Sequence, residues 1–102
     1  MIVPLINGFE CYRFDEMQYL KAQGNYTELF TGKKKILISK TIKLIESQLP
    51  DSLFYRVHRS YLVNLSFIKA YVNTTENPHL VMEDDTCIPI SRYKKSQFRL
   101  QQ

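Results

Sequence analysis

Hydrophobic and polar positions alternate along the chain in short runs, broken by turn-forming residues roughly every eight to ten positions, and this spacing predicts a mainly β protein. Val3–Ile6 and Phe9–Phe14 predict a hairpin around Asn7-Gly8, because both turn residues tolerate positive φ. Asp15-Glu16 interrupts the pattern and Met17–Gln23 resumes it. Gly24-Asn25 marks the next reversal, after which Tyr26–Thr31 sets Leu29 against Glu28 and Phe30, as a half-buried strand does. Thr31-Gly32-Lys33 turns the chain into Lys35–Ile38.

From Ser39 to Leu49 the period changes. Ile42, Ile45 and Leu49 fall on one helical face with Leu44 beside it, Ser39 or Thr41 can cap the start, and Pro50 stops the helix. Phe54–His58 then predicts a strand. Residues 59–65 carry no clear period and fit a tight turn. Phe67–Val72 predicts a strand with Ile68, Ala70 and Val72 on one face, and Asn73–Pro78 a polar loop. His79–Glu83 and Thr86–Ile90 predict a hairpin around Asp84-Asp85, with Pro89 confining its strand to an edge. Ser91 can cap a short basic helix or turn running to Leu100.

A chain of 102 residues with 44% hydrophobic content suits one domain that buries a core without staples. Cys11 and Cys87 have neither metal-ligand nor redox spacing, and they are expected as small buried hydrophobes in a reducing cytoplasm. No signal peptide opens the sequence, and no apolar run approaches the length of a membrane span. The net charge of +4 is a weak guide, but its distribution is polarised. Residues 33–59 hold seven Lys or Arg against Glu46 and Asp51, and residues 91–102 hold Arg92, Lys94, Lys95 and Arg99 with no acid. Residues 76–85 carry Glu76, Glu83, Asp84 and Asp85 with no Lys or Arg. A surface polarised in this way steers polyanions to one side.

Enzymatic chemistry finds little footing. Three glycines make no phosphate-cradling loop, and His58 and His79 stand in no ligand spacing with the cysteines, so no cofactor or metal is expected. Ser60 two places from His58 is too common a pairing to signal a nucleophile and its base, and Asp84-Asp85 reads as turn chemistry. Binding has a mechanism: Arg reads guanine O6 and N7 with two parallel bonds, and Lys neutralises phosphate. Asn25, Arg59 and Arg92 each stand where a strand signal ends, so three loop tips converging on one edge would form a nucleic-acid surface.

At these residues the chain resembles the LytTR DNA-binding domain family, the output module of many bacterial response regulators. The resemblance rests on Phe54-Tyr55-Arg56-Val57-His58-Arg59-Ser60-Tyr61-Leu62-Val63-Asn64, on the closing Ile88-Pro89-Ile90-Ser91-Arg92, on Gly24-Asn25-Tyr26 and on the intervening helix over 40–49. It implies an elongated stack of small antiparallel β-sheets with one intervening α-helix and a short C-terminal helix or turn. It also implies loops entering successive major grooves of bent double-stranded promoter DNA, at repeated half-sites, for transcriptional regulation. Base contacts carry over to Asn25, Tyr26 or Thr27, to Arg59 and to Arg92. His58, Ser60, Ser91, Tyr93, Lys94 and Lys95 become expected phosphate contacts. The family's usual receiver domain, a partner in the full-length protein, is absent from these 102 residues. A domain of this kind is expected to be cytoplasmic, monomeric alone and paired on DNA.

Single positions keep alternatives. His58 can face DNA or orient the Arg59 turn through a hydrogen bond. Arg56 can reach outward or pair with an acid such as Asp51. Tyr61, Phe67 and Tyr71 read as core, and Asn64 as a cap or turn residue. Lys33, Lys34 and Lys35 serve edge protection as well as phosphate binding. Two rival functions stand beside duplex binding: a single-strand or RNA binder, which needs exposed aromatic residues on a sheet face, and a protein-interaction module, whose affinity would be nearly flat in salt.

Overall fold

The computed structural model describes residues 1–91. Arg92, Tyr93, Lys94 and Lys95, and the turn or helix expected after Ser91, lie outside the described residues. The molecule is elongated, with extents of 43 × 23 × 21 Å.

Its centre is a five-stranded antiparallel sheet. In chain order its strands are β3 (Tyr19–Gln23), β4 (Tyr26–Phe30), β5 (Lys35–Ile38), β6 (Phe54–His58) and β7 (Tyr61–Asn64), and their spatial order is β5-β4-β3-β7-β6. Before it, β1 (Ile2–Leu5) and β2 (Gly8–Cys11) form a hairpin. After it, β8 (Ile68–Val72), β9 (His79–Met82) and β10 (Cys87–Pro89) form a three-stranded sheet with β10 at an edge, where Pro89 needs no ladder N–H to donate outward.

Strand alternation gives the central sheet two apolar faces. Leu20, Leu29, Ile36, Ile38, Phe54 and Leu62 point to one side, where Val3 of the hairpin and Ile42 and Ile45 of helix α1 (Ile42–Glu46) cover them. Tyr19, Val57 and Val63 point to the other side and meet Leu80, Met82, Ile88 and Ile90. Each such side chain contributes about 1.5–3 kcal/mol on burial, so the central sheet is fixed from both sides. Tyr61, Phe67 and Tyr71 are half-buried against this second core.

Several expectations shift. The first hairpin turns at Ile6-Asn7 instead of Asn7-Gly8, and Gly8 pairs with Leu5 at φ 149°, a value glycine favours. Helix α1 is one residue over a single turn, shorter than 39–49. Thr41 Oγ1 caps it by accepting from Leu44 N–H at 3.4 Å, and the Ser47 hydroxyl closes it by donating to Leu44 O at 2.6 Å. The residues before Pro50 continue as turns, and Leu49 still reaches the core. Residues 61–64 form a strand, where only a tight turn was expected. A bulge between Ile68 and Ala70 breaks the expected shared face of β8, leaving Ala70 exposed while Ile68 and Tyr71 pack inward. Both cysteines are exposed, against expectation. Cys11 sits opposite Ile2 on the outer face of the first hairpin, and Cys87 on the edge strand β10, so neither position has a layer over it.

Candidate nucleic-acid interface

Strand β3 rises and β4 descends through the Gly24-Asn25 reversal, where Gly24 takes φ 63°. Beside β3, β6 and β7 are joined by the Arg59-Ser60 turn, with Lys21 opposite Tyr61. One bond ties the two reversals: Ala22 N–H donates to Ser60 O at 2.8 Å, just short of Gly24. A second brings in the end of the three-stranded sheet, where Ser91 N–H donates to Val57 O at 2.9 Å. A third involves the exit of β5, where the Thr27 hydroxyl donates to Lys40 O at 2.8 Å. Residues 24–26, 59–60 and 91 therefore share one end of the central sheet.

The side chains differ in what they offer there. Asn25, Tyr26 and Arg59 are exposed, Tyr26 at 41%. Thr27 leaves the set of base-contact positions, because it is fully buried on the Leu29 side of the sheet with its hydroxyl committed to Lys40. Arg59 makes no ion pair with a described residue. Arg56 is its opposite, with a side chain only 17% exposed. Its Nη1 pairs with Glu46 Oε1 at 2.6 Å, so its acid partner is Glu46 on α1 and not Asp51, whose place after Pro50 is at the other end of β6. Arg56 Nε donates to His58 O at 2.9 Å and Nη2 to Arg59 O.

His58 holds the turn from within, since its Nδ1 accepts from Ser60 N–H at 3.1 Å. That bond requires Nδ1 to be unprotonated, and the ring stands edge-on to Tyr61 with centroids 5.9 Å apart. Burial, and then the nearby Arg59 and Arg56, push the His58 pKa below its usual value. Ser60 and Ser91 are half-buried beside it. Lys21 Nζ lies 5.9 Å from the centre of the Tyr61 ring. Asn64 caps the 3₁₀ turn Leu65–Phe67 through Ser66 N–H at 2.9 Å, the cap role its sequence position suggested. On the edge strand β5, Lys35 pairs with Glu28 at 3.2 Å, and Lys34 lies 3.9 Å from Glu10.

Two features of this end went beyond the sequence reading: the place of Lys40, and Glu46 as the acid that pairs with Arg56. Lys40 joins it only because β5 runs parallel in space to β3, which strand order alone reveals. Arg56 had a usable signal: it shares the parity of Phe54, and hence the face covered by the helix that carries Glu46.

Residues 8–101 match the family model described as LytTr DNA-binding domain. The chain is 39% identical over 77 residues to the sensory transduction protein LytT of Bacillus subtilis, covering 72% of this chain and 31% of that protein. It is 32% identical over 81 residues to the heme-containing CO-sensing transcriptional regulator RcoM 2 of Paraburkholderia xenovorans, covering 78% and 30%. It is 31% identical over 87 residues to the transcriptional regulatory protein YpdB of Escherichia coli K12, covering 83% and 36%. The chain thus spans about a third of the length of these curated relatives. A solved LytTr DNA-binding domain from Bacillus cereus superposes with a TM-score of 0.83 at 27% identity, over 98% of this chain and 93% of that one.

Proposed function

The chain belongs to the LytTR DNA-binding domain family, and on that premise we propose that it binds double-stranded DNA sequence-specifically in transcriptional regulation, its turns entering successive major grooves. Asn25, Tyr26, Arg59 and Arg92 read base edges. Ser60, Ser91, Tyr93, Lys94 and Lys95 hold phosphates, with Lys40 added from its place at the same end of the sheet. His58 contributes through its turn first, and only its Nε2 side is left for a phosphate. In the full-length regulator a receiver domain is the partner that delivers the signal, and copies pair on repeated half-sites.

The observation that carries this reading is the pair of backbone bonds, Ala22 to Ser60 and Ser91 to Val57, that gathers three chain-distant segments at one end. A single-strand or RNA binder finds less support, because Tyr26 is the only exposed large aromatic among the described residues of that end.

Selection of bound duplexes from a random pool, followed by salt titration, tests the proposal. The expected product is a direct repeat spaced near one helical turn. With Lys40, Lys94 and Lys95 of two copies neutralising six phosphates of the repeat, affinity for it falls by about three orders of magnitude between roughly 50 and 200 mM salt. Affinity flat in salt, or tighter binding to single strands, would remove the proposal.

A further inference from the structure

We infer that Arg56 is the positioning residue for Arg59, fixing the direction in which that side chain leaves the protein and linking that direction to helix α1 through Glu46. The inference rests on the duplex-binding reading and adds a residue to its machinery that touches no DNA.

Arg56 holds the carbonyls on either side of the Arg59 Cα. His58 O belongs to the peptide unit before the Arg59 Cα, and Arg59 O to the unit after it. Both accept from the guanidinium of Arg56, through Nε at 2.9 Å and Nη2. Peptide units are rigid planes, so fixing the two that flank a Cα fixes its φ and ψ and with them the direction of its Cα–Cβ bond. The second plane is held at both ends, because its N–H, from Ser60, donates to His58 Nδ1 at 3.1 Å.

Arg56 can do this because its donors form a planar fork. The fork is itself anchored: Glu46 takes the remaining direction at 2.6 Å, and the stem lies largely buried. A bulge between Arg56 and His58 supplies the bend that brings both carbonyls back toward the guanidinium. Glu46 also neutralises Arg56, which leaves Arg59 as the cation this turn projects.

Arg56→Lys keeps the charge and removes the fork, so it separates aim from electrostatics. On the duplex recovered from the random pool, this variant is expected to lose about tenfold or more in affinity. On a scrambled duplex of equal length it should stay within about twofold, because non-specific binding follows charge. In an Arg59→Ala background the same change should cost nothing further, since a residue acting through Arg59 has nothing left to aim. Glu46→Gln should produce a smaller loss with the same selectivity.

Amide exchange provides a readout without DNA. Exchange at Ser60 and Ala22 should quicken in Arg56→Lys, while Met82, bonded to Thr86 O across the other sheet, stays unchanged. Additive losses in the double variant, equal losses on both duplexes, or unchanged exchange at Ser60 would each overturn the inference. If the parent chain fails to prefer the recovered duplex, the DNA reading falls instead, and the exchange data still decide whether Arg56 sets the turn.

Discussion

The two ends of strand β3 meet two charged turns that handle their charges in opposite ways. Near Gln23, the Arg59-Ser60 turn fastens its backbone through Arg56, His58 and Ala22, and leaves the Arg59 side chain exposed and unpaired among the described residues. At Tyr19, the Asp84-Asp85 turn uses its side chains as the fastening. Asp84 accepts from the Tyr19 hydroxyl at 2.9 Å and from Thr86 N–H at 3.0 Å, while Asp85, at φ 68°, pairs with Lys69 at 2.6 Å. Burial alone would raise the Asp84 carboxyl, but its bonds from Thr86 and Tyr19 outweigh that and hold it below the usual carboxylate value. Burial pushes the Tyr19 hydroxyl up to about 12, with Asp84 adding to the rise. A charge that its own fold satisfies is structural. A charge held outward by a satisfied backbone is available to a partner.

The largest effect that would sharpen this contrast is on binding. Arg59→Ala should weaken specific duplex binding by about 1–3 kcal/mol while leaving the thermal midpoint at about pH 7.5 unchanged, because no described hydrogen bond or ion pair of the fold uses its guanidinium and His58 is neutral at that pH in both the folded and the unfolded chain. Binding titration beside a melting curve checks both halves. A drop in stability with affinity intact would invert the roles of the two turns. Next in size is Tyr19→Phe, which removes a nearly buried hydroxyl bonded to Asp84 and to Thr86 Oγ1 at 3.0 Å. It should cost about 1–2 kcal/mol in chemical denaturation and leave duplex affinity alone. Lost affinity would show that the acidic turn reaches the interface after all.

The two turns were also unequally legible. Asp84-Asp85 announced itself through flanking alternation, because β9 and β10 each bury one face. The partner strand of the Arg59 turn did not. Leu62, Val63 and Asn64 are all buried, since β7 lies inside the sheet with a core on each side, and a strand buried on both faces has no alternation to read. Asn25 and Arg59 were legible as polar residues at strand ends. Thr27 was not separated from them, although its parity with Leu29 already placed it on the inner face. For Arg56 an acid partner was legible as an alternative and parity with Phe54 marked the covered face, but Glu46 in place of Asp51 needed the third dimension, because a helix and a strand ten residues apart meet only after the helix folds over the sheet.

Acid should break the two turns in sequence, with the smallest effect of the three. His58 must be neutral at Nδ1 to accept from Ser60, and its folded pKa lies below the ordinary 6.5. On lowering the pH the unfolded chain therefore takes up this proton first, and proton uptake by the unfolded state alone lowers stability. The His58 contribution is thus complete above about pH 6.5 and fades as pH falls from there through the depressed folded value. Asp84 is depressed too, so its contribution persists until pH nears the ordinary carboxylate value of 3.8 and is lost below it. Denaturation midpoints taken from about pH 7.5 to about pH 5 should fall for the parent chain and fall less for His58→Gln, which has no proton to gain in that window. Arg59→Ala should also flatten the fall, because Arg59 is one of the charges that disfavour protonated His58. Identical slopes in all three would mean that the ring does not hold the turn, and the two ends of β3 would then differ in charge but not in how they are built.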